Sequence, residues 1–164
     1  MATQHHLTPP FGNVVTAMVT PFNNDGSVNY EMAIELAEFL VETGTDTILL
    51  AGTTGESPTL THEEEFQLFK QVKQALGTKA FVMAGTGSNC TKTAIESSKM
   101  AQDAGADSIL QVVPYYNKPS QEGMFQHFFH VAKACELPMM LYNIPGRTAV
   151  NMLVETTVRL SELP

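Results

Sequence analysis

The sequence predicts an α/β fold: a parallel sheet covered by helices, read as a (β/α)8 barrel of which the 164 residues supply about five βα units. Three observations carry that prediction. Short apolar runs alternate with amphipathic helical patterns, as they do when parallel strands are buried on both faces. Strands begin roughly every thirty residues, the length of one βα unit, and one unit echoes another: Gly44-Thr45-Asp46-Thr47-Ile48-Leu49 resembles Gly105-Ala106-Asp107-Ser108-Ile109-Leu110. Polar or glycine-rich groups also follow every strand. A doubly wound open sheet gathers its ligand groups at one switch point, whereas a barrel takes them from many strand ends.

The elements follow in order. Residues 14–19 are rich in β-branched side chains and read as the first strand, ended by Thr20-Pro21 and a turn at Asn24-Asp25-Gly26. Met32, Leu36, Phe39 and Leu40 then recur at helical spacing as far as Gly44, a C-terminal cap. Residues 47–50 are the second strand. Thr61-His62-Glu63-Glu64 is a capping box that opens a helix running through Leu68 and Val72 to Gly77. Residues 80–84 are the third strand, and 93–104 a helix stopped at Gly105. Residues 108–113 are the fourth strand, 121–135 a helix, 139–142 the fifth strand and 152–160 a last helix. Met32, Met100, Met124 and Met152 read as core filler, and Cys135 as a core hydrophobe. Residues 1–11 form an N-terminal tail, and 12–164 hold the first five βα units with no linker between them.

Composition narrows the function. With 43% hydrophobic and 16% charged residues the chain is globular. A formal net charge of −8 argues against nucleic acid or an anionic membrane surface as partner. Cys90 and Cys135 form no C-x-x-C pair, so no disulfide framework is expected. No stretch approaches the ~18 apolar residues of a membrane span, and the polar start of the chain, with His5 and His6, fits no secretory signal. The expected location is the cytoplasm.

Four strand exits carry candidate chemistry. At Gly52-Thr53-Thr54-Gly55-Glu56-Ser57, glycines permit a tight turn that aims N–H groups and two hydroxyls at the strand-end cavity. That nest suits a carboxylate; an ordinary turn held by threonine hydroxyls is the plainer alternative. Gly85-Thr86-Gly87-Ser88-Asn89 lacks the third glycine of a dinucleotide fingerprint, because Cys90 stands there, and reads better as a tight turn. Tyr115 and Tyr116 are adjacent and point opposite ways in extended chain, which suits one entering the site and the other leaving it toward the core or a neighbouring subunit; amphipathic packing with a wet hydroxyl is the plainer alternative. Tyr142-Asn143-Ile144-Pro145-Gly146-Arg147-Thr148 brings a phenol and a guanidinium to the exit of a buried strand. Arginine suits a carboxylate and a tyrosine hydroxyl suits proton transfer, with the Thr53 or Thr54 hydroxyl as relay partner; a surface ion pair is the alternative for Arg147. His127 and His130 lie three apart on one helix without a third ligand, and no metal site is expected.

Together, these four motifs in this order and spacing resemble the dihydrodipicolinate synthase family of pyruvate-dependent class I aldolases, over nearly the whole chain from Gly12. Thr53 at the head of its turn and Arg147 after the Tyr-Asn-Ile-Pro segment favour the synthase over N-acetylneuraminate lyase and the sugar-acid aldolases. The resemblance implies a TIM barrel and a homotetramer without cofactor or metal. The implied reaction condenses pyruvate with aspartate 4-semialdehyde through a lysine Schiff base, in lysine biosynthesis. It implies that Thr54 holds the pyruvate carboxylate and that Tyr142, Thr53 and Tyr116 form a proton relay, Tyr116 reaching a neighbouring subunit. Arg147 is then the group that binds the semialdehyde carboxylate. A lysine effector site falls on Ser57, Pro58, His62, Asn89 and Tyr115; Thr93 stands where sensitive members carry a glutamate, so feedback is not expected. The family's Schiff-base lysine belongs to a sixth strand. Lys70, Lys73, Lys79, Lys92, Lys99, Lys118 and Lys133 all fall on predicted helices or loops, and the 164 residues alone are expected to be inactive. The competing expectations are another pyruvate-dependent aldolase and a non-catalytic half-barrel module.

Overall fold

A computed structural model describes residues 11–163. Five parallel strands form one sheet: β1 (Val15–Ala17), β2 (Thr47–Leu50), β3 (Phe81–Gly85), β4 (Ser108–Val112) and β5 (Met139–Tyr142). Between and after them run α1 (Tyr30–Glu42), α2 (His62–Leu76), α3 (Thr91–Asp103), α4 (Gln121–Ala134), the short α5 (Pro145–Thr148) and α6 (Val154–Ser161). The strand order is sequential, β1-β2-β3-β4-β5. A doubly wound sheet reverses its order at a switch point; a sheet that adds each strand on the same side is the partial barrel that the alternation predicts. Of the tail expected over residues 1–11, only Phe11 lies within the described residues; its carbonyl accepts the Thr47 hydroxyl at 2.6 Å.

Alternation along the strands separates two faces. Ile48, Leu50, Val82, Ala84 and Ile109 share one core with Ala33 and Ala37 of α1 and Phe69 and Val72 of α2. Their alternates Gly85, Leu110, Val112 and Tyr142 line the opposite, concave face. A second cluster under α4 and α6 gathers Val113, Met124, Phe128, Met152 and Leu160.

Helix ends match their signals closely. Thr61 caps α2 with both halves of the capping box formed, its hydroxyl accepting the Glu64 N–H while the Glu64 carboxylate accepts the Thr61 N–H at 2.8 Å. Gly44, Gly77 and Gly105 take the positive φ expected after the helices they end. Two readings are corrected. Met32, read as core filler, is 48% exposed, as Phe39 on the same helix is at 59%, because α1 turns its small Ala33 and Ala37 toward the sheet, where they let the helix approach closely. The helix expected over 152–160 begins at Val154, and a separate helical turn, α5, precedes it.

Candidate active site at the carboxyl ends of the strands

The loops that leave β2, β3, β4 and β5 meet around one cavity of about 440 Å3, within the range of small-ligand pockets. Two glycines make that convergence possible. A Cβ on Gly85 would stand 2.3 Å from the Ala51 carbonyl oxygen, and one on Gly87 would stand 2.5 Å from the Val112 N–H nitrogen. Only bare backbone lets the end of β3 pass so close to its neighbours on both sides. The Gly85-Thr86-Gly87 segment is thus a packing turn, in line with the sequence.

The loop after β2 delivers Thr53 and Ser57 to the cavity wall. It starts and ends in left-handed backbone, at Ala51 (φ 49°) and Glu56 (φ 55°). The buried Thr20 hydroxyl donates to the Gly55 carbonyl at 2.6 Å. Ser57 Oγ donates to Glu65 Oε1 at 3.0 Å. Glu65 is the one carboxylate buried among the described residues; desolvation pushes it above the ordinary carboxylate value, opposed by Ser57 and by His62, whose Nδ1 stands 3.5 Å from Oε2.

Beyond β5, the side chain of Asn143 clamps the following segment. Its amide nitrogen donates to Asn151 Oδ1 at 2.7 Å, and its oxygen accepts the Met152 N–H at 3.1 Å. Thr148, buried, donates to the Ile144 and Val150 carbonyls and fixes the turn that carries Arg147. Arg147 lines the cavity, is exposed, and makes no ion pair among the described residues, so its guanidinium is free for an anion.

Of the residues singled out in the sequence, the structure brings Thr53, Ser57, Pro58, Tyr115, Tyr142 and Arg147 to this one cavity. Thr54, His62, Asn89 and Tyr116 are not among its lining residues. Asn89 instead offers its carbonyl to the Asn117 side chain at 3.0 Å. Tyr116 sits in left-handed backbone at φ 71° and is 89% exposed, while Tyr115, 39% exposed, lines the cavity. No hydrogen bond among the described residues joins Tyr142 directly to Thr53 or Thr54. Glu56 and Glu65 escaped the sequence reading: the first sits inside a turn read for its hydroxyls, the second in the Glu63-Glu64-Glu65 run that reads as helix-start charge. None of the seven lysines lies on a strand. No group of three His, Cys, Asp or Glu among the described residues could hold a metal ion, and none of the described helices is long and apolar enough to cross a membrane.

A parallel barrel segment whose strand-end loops gather hydroxyls, phenols and a free guanidinium has the layout of a small-carboxylate site on a TIM-barrel scaffold. The family model described as the dihydrodipicolinate synthetase family matches residues 10–164, and the chain belongs to that family. It is 58% identical over 156 residues to a 4-hydroxy-tetrahydrodipicolinate synthase of Synechococcus elongatus, a match covering 94% of this chain and 52% of that one. Among solved structures it resembles a dihydrodipicolinate synthase of Bacillus anthracis at a TM-score of 0.92 and 49% identity, covering 94% of this chain and 53% of that one. It also resembles the enzyme of Cyanidioschyzon merolae with lysine bound, at a TM-score of 0.91 and 56% identity, covering 93% and 52%. The chain spans about half the length of the relatives it matches.

Proposed function

We propose that this chain forms the first part of a 4-hydroxy-tetrahydrodipicolinate synthase, a lyase that condenses pyruvate with aspartate 4-semialdehyde through a lysine Schiff base. The supporting observation is the convergence of Thr53, Tyr115, Tyr142 and Arg147, from three separate strand exits, on one cavity. In this reading Tyr142 moves the protons released and taken up as the pyruvate ketone becomes an imine, with Thr53 beside it as relay. The pyruvate carboxylate is assigned to Thr54 and the loop N–H groups on the family resemblance alone, since Thr54 stands beside the cavity rather than in its lining. Arg147 binds the carboxylate of the semialdehyde as a two-pronged donor. The amine nucleophile comes from a lysine outside these 164 residues, since every lysine here belongs to a helix or loop.

Further features are proposed on the family resemblance: a homotetramer, a cytoplasmic location, and a Tyr116 that completes a neighbouring subunit's relay, for which its 89% exposure leaves it free. The effector site would comprise Ser57, Pro58, His62, Asn89 and Tyr115. With Thr93 offering no carboxylate to an effector amine, lysine is expected to inhibit weakly or not at all.

The test joins this chain to the remaining part of the S. elongatus synthase and assays the product. The expected result is condensation of pyruvate with the semialdehyde and a borohydride-trapped pyruvate adduct on the supplied half only. Tyr142→Phe should lower kcat about a hundredfold or more, in the range of a lost proton-transfer group. Arg147→Ala should raise KM for the semialdehyde and leave that for pyruvate nearly unchanged. Cleavage of N-acetylneuraminate in place of condensation would assign the chain to another aldolase. A pyruvate adduct on the 164-residue chain alone would refute the placement of the nucleophile.

A further inference from the structure

The loop that carries Thr53 is poorly held by its own backbone. Two non-glycine residues, Ala51 and Glu56, occupy left-handed conformations at φ 49° and 55°, each of which costs about 1–2 kcal/mol relative to ordinary backbone. The hydrogen bonds that close the loop internally are long: the Glu56 N–H to the Thr53 carbonyl at 3.2 Å, and the Ser57 N–H to the Gly52 carbonyl at 3.4 Å. Left to itself, the segment would favour other shapes.

Two buried side chains from outside the loop reach in to hold it, one far earlier in the sequence and one from the helix that follows. Thr20, beyond β1 and 5% exposed, donates its hydroxyl to the Gly55 carbonyl at 2.6 Å. Glu65, in the first turn of α2 and 6% exposed, accepts the Ser57 hydroxyl at 3.0 Å. Gly55 itself is wedged against backbone, a Cβ there standing 3.1 Å from both the Ala51 nitrogen and the Met18 carbonyl oxygen. The Thr20 contact therefore locks a close backbone approach rather than bridging a gap. Both tethered points, Gly55 and Ser57, follow Thr53 in the chain, and Thr53 itself stands on the cavity wall. Neither Thr20 nor Glu65 lines the cavity, so neither is placed to touch a bound small molecule.

We propose that Thr20 and Glu65 are positioning residues that clamp the second half of the 52–57 loop, at Gly55 and Ser57, and thereby set where the Thr53 hydroxyl just ahead of it stands. The value of that placement for proton transfer rests on the proposed synthase reading; the clamping itself does not. A buried carboxylate makes sense in this place. It accepts from a hydroxyl more strongly than a neutral acceptor does, and it ties the loop to a helix whose start is independently fixed by the Thr61 capping box.

The test uses the isotope-labelled 164-residue chain and reads amide hydrogen exchange and chemical shifts by NMR. Thr20→Val and Glu65→Leu remove one tether each. Exchange of the Glu56 and Ser57 amides is expected to quicken about tenfold or more, while amides of α4, which packs beside α3 and α6, keep their protection. Thr20→Ser and Glu65→Gln restore a donor and an acceptor at the same places, and should bring both loop amides back to within about threefold of the parent. Loop exchange unchanged in well-folded Val and Leu variants would overturn the proposal. So would equal loosening of loop and α4, or no rescue by Ser and Gln. Pyruvate is titrated in parallel. A loop that loosens and is rescued as stated, in a parent whose Thr53 amide ignores pyruvate, supports the clamp and counts against the synthase reading alone.

Discussion

His127 and Glu65 are two titratable side chains whose burial sets opposite pH slopes on the fold. His127 is 5% exposed, shares a 2.9 Å hydrogen bond between its Nδ1 and the Thr91 hydroxyl, and lies edge-on to Phe128. Burial holds it below its ordinary 6.5, so the folded chain keeps it neutral. The stability this represents is complete above about pH 6.5. It is lost as pH falls, because only the unfolded chain then takes up the proton. Glu65 runs the other way. Burial raises it above its ordinary 4.5, so its share of stability is complete below that value and lost as pH rises through its folded pKa. Thermal melts should separate the two. His127→Gln should flatten the fall in melting temperature as pH drops below about 6.5, and Glu65→Gln should raise the melting temperature at pH 7 and leave it unchanged below about pH 4.5. Each effect is read as a change in the slope of melting temperature against pH relative to the parent chain. The sequence hides both residues for one reason: burial of a polar side chain is a tertiary fact. It showed Thr53, Tyr142 and Arg147 because strand exits are local features, and it misplaced Met32 because helical spacing alone does not say which of two neighbouring stripes meets the sheet.

At the scale of elements, the echo between residues 44–49 and 105–110 has a structural meaning. Asp46 precedes β2, and its Oδ2 accepts the N–H groups of Asn13 and Val14, just ahead of β1, at 2.7 and 2.9 Å. Asp107 precedes β4, and its Oδ2 accepts the Val82 N–H of β3 at 2.7 Å. Each aspartate ties the start of an even strand to that of the odd strand before it, at the end of the sheet opposite the cavity. Asp107 carries more, since Lys73 of α2 donates to both its oxygens at 2.8 Å in a half-buried pair. Asp46→Ala should therefore cost about 1 kcal/mol and Asp107→Ala about 2–3 kcal/mol, the excess coming from a stranded partial charge pair. A double-mutant cycle with Lys73→Met, read by urea unfolding, should find coupling at Asp107 and none at Asp46. Strands and long helices were legible because their periods differ and glycine marks where helices stop. The single turns at Ser57–Thr59 and Pro145–Thr148 were not, since too few residues define a period and their shape is set by contacts such as those of Thr148 and Asn143.

At the scale of the whole molecule, sequential parallel strands and helices leave matching unfinished surfaces at the two ends of the sheet. β1 and β5 each have one strand neighbour among the described residues, and every residue of β5 is half-buried rather than buried. The helices at the same two ends show apolar side chains to solvent: Met32 and Phe39 on α1, Val154 and Val158 on α6, the last two 74% and 51% exposed. Open parallel edges flanked by apolar helix faces are templates for association. The 164-residue chain is expected to self-associate in a concentration-dependent way at micromolar levels and above, measured by sedimentation velocity. Val154→Glu with Val158→Glu should weaken that association about tenfold, since the substitutions place two like charges on the α6 face while leaving its buried Thr156 and Leu160 untouched. The same pair should leave the melting temperature of the dilute chain within about 2 °C, as surface changes away from packed contacts do. A chain that stays monomeric across this range would show that the exposed ends are satisfied within the chain itself. Association that ignores the two glutamates would move the contact from the α6 face to the strand edge or to α1.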